Sequence, residues 1–164
     1  MNPRVAMKLS RKSCAYVLRG VDAEPPQLLV LSFASDPTLP RRLPGGTLSD
    51  DEDPVVGLFR ELSEETGLDG VQVMRKLGVR RYYKEYTQAD VERHDYLLRA
   101  PDGLPEAFSH TVSGNGGDAG AVFDYRWIGP QDIKTVDPEF QRELAPDYLP
   151  ELFVGSARRN SESD

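Results

Sequence analysis

Apolar positions alternate from Ser13 to Arg19, with Cys14, Tyr16 and Leu18 on one side, which predicts a half-buried strand. Gln27 to Phe33 contains the unbroken run Leu28-Leu29-Val30-Leu31, bounded by Pro25-Pro26 and Ser35-Asp36-Pro37; that is the profile of a strand covered on both faces. Val21 to Pro26 is then a hairpin-like connection. At Asp53-Pro54 the period changes: aspartate suits a helix N-cap, proline suits the first helical position, and Val55, Leu58, Phe59 and Leu62 recur as a buried stripe. Gly67 closes that helix where a left-handed residue is usually required. Val71 to Tyr86 reads as one or two extended segments, Val91 to Ala100 and Ala121 to Ile128 as further strands. Pro101 to Gly120 has little periodicity and reads as a long loop, a length that in compact domains is functional or disordered. Pro138 to Val154 is helical in pattern, broken into two short pieces by Pro146 and Pro150. The polar residues from Ser156 onward predict a disordered tail, leaving one domain over 1–155. Strands on both sides of a helix, with a second helical region late in the chain, predict an α/β sandwich with a mixed sheet.

Composition narrows the function. With 164 residues, 38% hydrophobic and 29% charged, the chain can bury one real core. A net charge of −7 argues against non-specific binding to nucleic acid, yet leaves room for an anionic small molecule met locally by metal and arginine. The single cysteine, Cys14, fits strand core in a reducing compartment. No run approaches a membrane span or a signal peptide, so the expected location is the cytoplasm.

One block carries the chemistry: GTLSDDEDPVVGLFRELSEETGL, residues 46 to 68. Gly46, Glu52, Arg60, Glu61, Glu64, Glu65 and Gly67 stand at spacings that chance would produce in roughly one chain in several million of this length. Glu61 lies three residues from Glu64 and four from Glu65, so the three carboxylates project from neighbouring helical positions. Like charges so placed repel, and a hard divalent cation such as magnesium, which favours oxygen ligands and shares its shell with phosphates, relieves that cost. Such a cation acidifies a coordinated water, and a carboxylate not fully used as ligand can take the proton. The bland reading is a solvated acidic face; the joint spacing with Gly46, Glu52, Arg60 and Gly67 argues against it. Arg60 reads either as an ion pair with Glu64 or as a guanidinium that orients the glutamates. Pro44-Gly45-Gly46 is a turn whose bare backbone admits a ligand closely.

These residues resemble the Nudix box, G-x5-E-x7-R-E-U-x-E-E-x-G-U with U a bulky aliphatic, here Leu62 and Leu68. Every fixed position is filled, and Arg42-Leu43-Pro44-Gly45-Gly46 is similar to the family's lead-in. The resemblance implies a Nudix-type α/β/α sandwich with a mixed β-sheet. It implies hydrolysis of a diphosphate linkage in a nucleoside diphosphate joined to another group, X. Magnesium or manganese would be held by Glu61, Glu64 and Glu65, with Glu52 and Arg60 in support. It also implies a late strand, Phe123 to Ile128, where an acid three residues before Trp127 makes Asp124 a candidate base; Asp118 in the preceding glycine-rich loop is another. Trp127 itself reads as core. Homodimers are common among proteins of this kind. The alternative is a Nudix-like nucleotide-binding module without hydrolysis, which would be expected to lack some box glutamates; all are present.

Substrate recognition is less defined. In Arg80-Arg81-Tyr82-Tyr83-Lys84, Arg81 and Tyr83 read either as phosphate and base contacts or as positions in an ordinary alternating strand. Arg41 and Arg42 stand near the box, where they either meet a distal phosphate or are solvated. His94 and His110 read as structural; Glu85, Glu92 and Glu106 read as surface charges.

Overall fold

The computed structural model describes residues 9–20 and 25–153. The expected tail from 156 and Val21 to Glu24 of the expected hairpin lie outside the described residues. A seven-stranded sheet runs in the order β4-β5-β1-β2-β7-β6, with β3 paired to β1 alone. Its strands are β1 (Leu9–Arg19), β2 (Gln27–Phe33), β3 (Gly45–Thr47), β4 (Gln72–Lys84), β5 (Ala89–Arg99), β6 (Ala107–Thr111) and β7 (Val122–Ile128). The pair β1–β5 is parallel and the others antiparallel, so the sheet is mixed as expected.

β1 sits near the middle of the sheet and is buried on both faces rather than one. Ala15 and Val17 pack with Leu58 and Leu62 of α1 (Pro54–Thr66). Cys14, Tyr16 and Leu18 pack on the other side with Phe140, Leu144, Leu149 and Leu152. The fold is therefore an α/β sandwich whose second outer layer is built of turns and 3-10 helices (Pro130–Thr135, Pro138–Phe140 and Pro150–Leu152). The helical pattern expected over 138–154 is thus realised only as tight turns. Its prolines remove the N–H groups a continuous α-helix needs, while its apolar residues still reach the core.

The expected loop at 101–120 contains β6, an edge strand paired with β7. Only Phe108 of its five residues is apolar and large; it stacks on Tyr125 at 4.9 Å between ring centroids. That is too little hydrophobic signal to stand out between Pro105 and the following glycines. In α1 the Asp53 carboxylate accepts from the N–H groups of Val55 (3.0 Å) and Val56 (3.1 Å), and Gly67 ends the helix at φ 68°. The buried stripe is Gly57, Leu58, Glu61, Leu62, Glu65 and Thr66. Phe59, expected in that stripe, is 40% exposed, one step past its edge, because the side facing the sheet is shared with the glutamates. Among the described residues no helix is long and apolar enough to cross a membrane.

Candidate active site

Pairing of β3 with β1 decides where the glutamates point. Ser13 registers with Gly46, and the Gly45 N–H reaches Glu65 Oε2 at 3.3 Å. Gly46 lies so close to α1 that a Cβ there would stand 2.2 Å from Glu61 Oε2. Gly57 makes a second close approach, with the Leu48 and Glu52 side chains lying where its Cβ would be. Two glycines thus let the lead-in strand and the following loop close on the helix face that carries the carboxylates.

Arg60 organises the cluster. Its Nε and Nη2 form a fork on the two Glu52 oxygens, both at 2.8 Å, while Nη1 donates to Glu61 Oε1 (3.0 Å) and Glu64 Oε2 (3.2 Å). Arg60 thus pairs with Glu64 and also bonds Glu61 and Glu52. These bonds, with a further one from the Ser49 N–H, lower the Glu52 carboxyl to about pH 2. The inner carboxyls move the other way. Burial raises Glu61, with Arg60 opposing and Glu64 adding. Burial raises Glu65 to about 8, opposed by the Gly45 N–H and reinforced by the charges of Glu61 and Asp118.

A glycine-rich loop closes the far wall. The Glu64 carbonyl, near the C-terminal end of α1, accepts from the Ser113 N–H (3.0 Å) and faces His110 Nε2 at 3.1 Å. Gly114, at φ +88°, then packs its backbone on the Glu64 carboxyl, where a Cβ would stand 2.6 Å from Cδ. The result is a cavity of about 610 Å³ lined by Glu61, Glu64, Glu65 and Asp118 at one end. Phe33, Phe123 and Val112 line its middle, and Lys12, Arg42, Arg93 and Glu139 the remainder.

The three box glutamates, Arg60, Gly46, Arg42 and Asp118 therefore share one cavity. Asp124 does not join them. On β7 it faces the side opposite Phe123 and Tyr125, exposed, and accepts from Ser109 Oγ at 2.6 Å. Strand alternation alone separates it from the cavity, which Phe123 lines. Arg81 and Tyr83 are also outside it: Arg81 pairs with Glu92 at 2.6 Å and Tyr83 is 48% exposed on the edge strand β4. It is the other parity of that segment, Arg80, Tyr82 and Lys84, that turns inward, toward Glu139 and Glu143. Arg41 lines a separate shallow hollow and donates to Thr135. Glu92, expected on the surface, is largely covered between Arg11, Arg81 and His94. Lys12, Arg93 and Glu139 were not anticipated. Lys12 was legible from the alternation of β1, which places it on the Cys14 face; Glu139 carries no sequence signal.

The donor set fits a divalent cation. Glu61, Glu64 and Glu65 offer hard carboxylate oxygens to one cavity, and two of them carry the strain of uncompensated burial that bound positive charge would relieve. Among the described residues no three acidic, histidine or cysteine side chains are already gathered at ligating distance, consistent with Arg60 standing between Glu52, Glu61 and Glu64.

The elevated Glu65 carboxyl has a stability consequence in metal-free protein. Below the ordinary value of 4.5, folded and unfolded chains both hold the proton and no charge is buried. Between 4.5 and about 8 the folded state alone retains it, so stability falls as pH rises, by at most on the order of 5 kcal/mol. Chelator-treated protein should therefore show a lower Tm at pH 8.5 than at pH 5.5. Glu65→Gln should flatten the profile, and added magnesium should restore the parent at the alkaline end. Identical pH profiles for parent and variant would contradict the burial argument.

Comparison with known proteins agrees with the geometry. The chain belongs to the Nudix hydrolase family: the NUDIX domain family matches residues 11–148. Among solved structures it is similar to the Nudix hydrolase RenU from M. smegmatis, at TM-score 0.60 and 16% identity over 87% of this chain and 84% of that one. A NUDIX hydrolase from Nitrosomonas europaea aligns at TM-score 0.59 and 15% identity, covering 90% of each chain. A C. elegans Ap4A hydrolase aligns at TM-score 0.57 and 18% identity, over 90% of this chain and 98% of that one. A search of curated proteins finds no match.

Proposed function

We propose that this protein hydrolyses the diphosphate bond of a nucleoside diphosphate joined to a second group X, with Mg2+ or Mn2+ held by Glu61, Glu64 and Glu65. The observation that supports it most is the convergence of a complete box on one cavity: three carboxylates, a guanidinium and the bare backbone of Gly46. The bound cation would supply neutralisation of phosphate charge and acidification of water. The chain's own side chains do the rest. Arg60, forked on Glu52, holds Glu61 and Glu64 in orientation. Glu64 is the more solvent-open of that pair, at 22% side-chain exposure against 11% for Glu61, and receives the proton of the attacking water. The new P–O bond forms to that water's oxygen as the bridging P–O bond breaks, releasing a nucleoside monophosphate and a phosphate-bearing fragment. Asp118, which lines the cavity, is the favoured candidate for a further base; Asp124, which lies outside it, is not. Phe33 and Phe123 give the cavity an aromatic wall for the nucleobase. The single buried Cys14 suits a reducing cytoplasm.

The test is a panel of nucleotide compounds with magnesium or manganese: nucleoside triphosphates, nucleotide sugars, dinucleotide cofactors and, prompted by the C. elegans relative, dinucleoside polyphosphates. Cation-dependent release of a nucleoside monophosphate from at least one class is expected, and 18O-water locates the attacked phosphorus. Binding without turnover across the panel would favour the non-catalytic module instead.

A further inference from the structure

At the end of the cavity away from the glutamates, Lys12, Arg42, Arg93 and Glu139 line the wall. With the residues behind them, Arg80, Lys84, Asp95, Asp137 and Glu143, they form a cluster of five cations and four carboxylates among the described residues, and its pairing is uneven. Arg93 is 2% exposed and saturated: its Nε bonds Asp95 at 2.8 Å, Nη2 reaches Glu143 at 3.3 Å and the Tyr16 hydroxyl at 3.4 Å, and Nη1 donates to the Glu139 carbonyl at 2.9 Å. Arg80 shares Glu143 at 3.4 Å. Those two arginines and two acids balance. Around Glu139 the count differs. Its carboxylate accepts from the Tyr82 hydroxyl, from Lys84 at 3.4 Å and from Arg42 at 3.3 Å, while Arg42 has Asp137 at 3.8 Å as a second partner. Three cations, Lys12, Arg42 and Lys84, thus face two carboxylates, and the surplus falls on Lys12.

Lys12 lines the cavity, and among the described residues its ammonium makes no hydrogen bond or ion pair. It lies between Thr47 on β3 and Arg93 on β5, so its flanks offer no acid. Burial lowers its pKa, Lys84 and Arg42 lower it further, and Glu139 opposes them. A half-buried ammonium among like charges is held at a cost unless an anion completes it. It is also close to the chemistry. Ser13, the next residue, registers with Gly46, whose backbone abuts the Glu61 carboxylate. Alternation along β1 puts the Lys12 side chain on the opposite face of the sheet's end from Ser13, which bonds the Pro54 carbonyl on the helix side. The cavity is therefore bipolar: acids on the α1 side, one unclaimed cation on the other.

We propose that X carries its own negative charge, a phosphate group, and that Lys12, assisted by Arg42, is the specificity-determining residue that receives it. This rests on the diphosphatase reading but can fail or stand separately from it. Substrates whose X is a neutral sugar leave the Lys12 ammonium unanswered, so discrimination should be set at this residue.

Matched compounds that share nucleoside and diphosphate decide the matter: ATP against ADP-ribose, and UTP against UDP-glucose. Binding is measured calorimetrically with divalent cation chelated, and kcat and KM with magnesium present. The parent should bind each triphosphate at least fivefold more tightly than its sugar partner. Lys12→Gln should weaken triphosphate binding and raise KM at least tenfold, with a several-fold smaller effect on the sugars, and Lys12→Arg should recover most of the loss. Tm should not fall in Lys12→Gln, since a strained charge is removed. Equal losses on both members of a pair, or no loss on either, would overturn the assignment. Lack of turnover with a Lys12-dependent binding preference intact would remove the hydrolase reading and uphold this one.

Discussion

Glu64→Gln should lower kcat by about 10²–10⁴-fold while KM changes little and the fold persists. The range is that of a positioned acid–base group lost from the transition state. Structure should survive because the Glu64 carboxyl is half-buried at the cavity wall rather than in the core, and the amide still accepts the Arg60 bond that now spans 3.2 Å. Repulsion with Glu61 is relieved at the same time. Glu85→Gln, in the exposed turn after β4, is the control and should keep parental turnover. Steady-state kinetics on the best compound of the panel, with circular dichroism to confirm folding, checks both halves. Undiminished turnover in folded Glu64→Gln would refute the role given to this side chain.

Arg93→Met should cost 3–5 kcal/mol of stability, the range for removing one partner of a buried ion pair. The reason is what remains. Asp95 and Glu143 are 1% and 4% exposed, and without the guanidinium Asp95 is left without its cation in an apolar layer beside Phe140, while Glu143 keeps only the longer contact with Arg80 at 3.4 Å. Burial already raises the Asp95 carboxyl to about 6, with Arg93 holding it down. Removing Arg93 raises it further; parent and variant lose the same stability between 3.8 and about 6, and the variant's extra penalty opens as pH climbs above about 6. The deficit should be larger at pH 8 than at pH 5. Urea denaturation at both pH values measures it; a loss under about 1 kcal/mol would mean that the network contributes little.

The contrast between these two residues marks what could be read along the chain. Glu64 was legible because local geometry decides it: helical spacing from Glu61, an aspartate cap and a glycine stop are all contained in one short block. Arg93 was not, because its importance comes from elements far apart in sequence, β1, β5 and the turn at 138–140, meeting over it. The same division explains Asp124. Its distance from Trp127 suggested a base, but β7 is buried on its Phe123 face and that parity carries Asp124 away from the cavity. It also explains the segment 80–84, where the cation–aromatic pattern was visible while the inward parity depended on pairing with β5. The hidden strand β6 exists through its ladder with β7 rather than through its own composition.

Manganese binding tests the central claim most directly. In titrations of chelator-stripped protein followed by electron paramagnetic resonance, the parent should show a saturable site that tightens from pH 6 to pH 8. Binding there must displace the proton that buried Glu65 keeps up to about 8. Glu61→Gln and Glu65→Gln should each weaken that site at least tenfold, and Glu65→Gln should flatten its pH dependence. Equal, pH-independent affinity in all three proteins would contradict the assignment of these carboxylates to a cation.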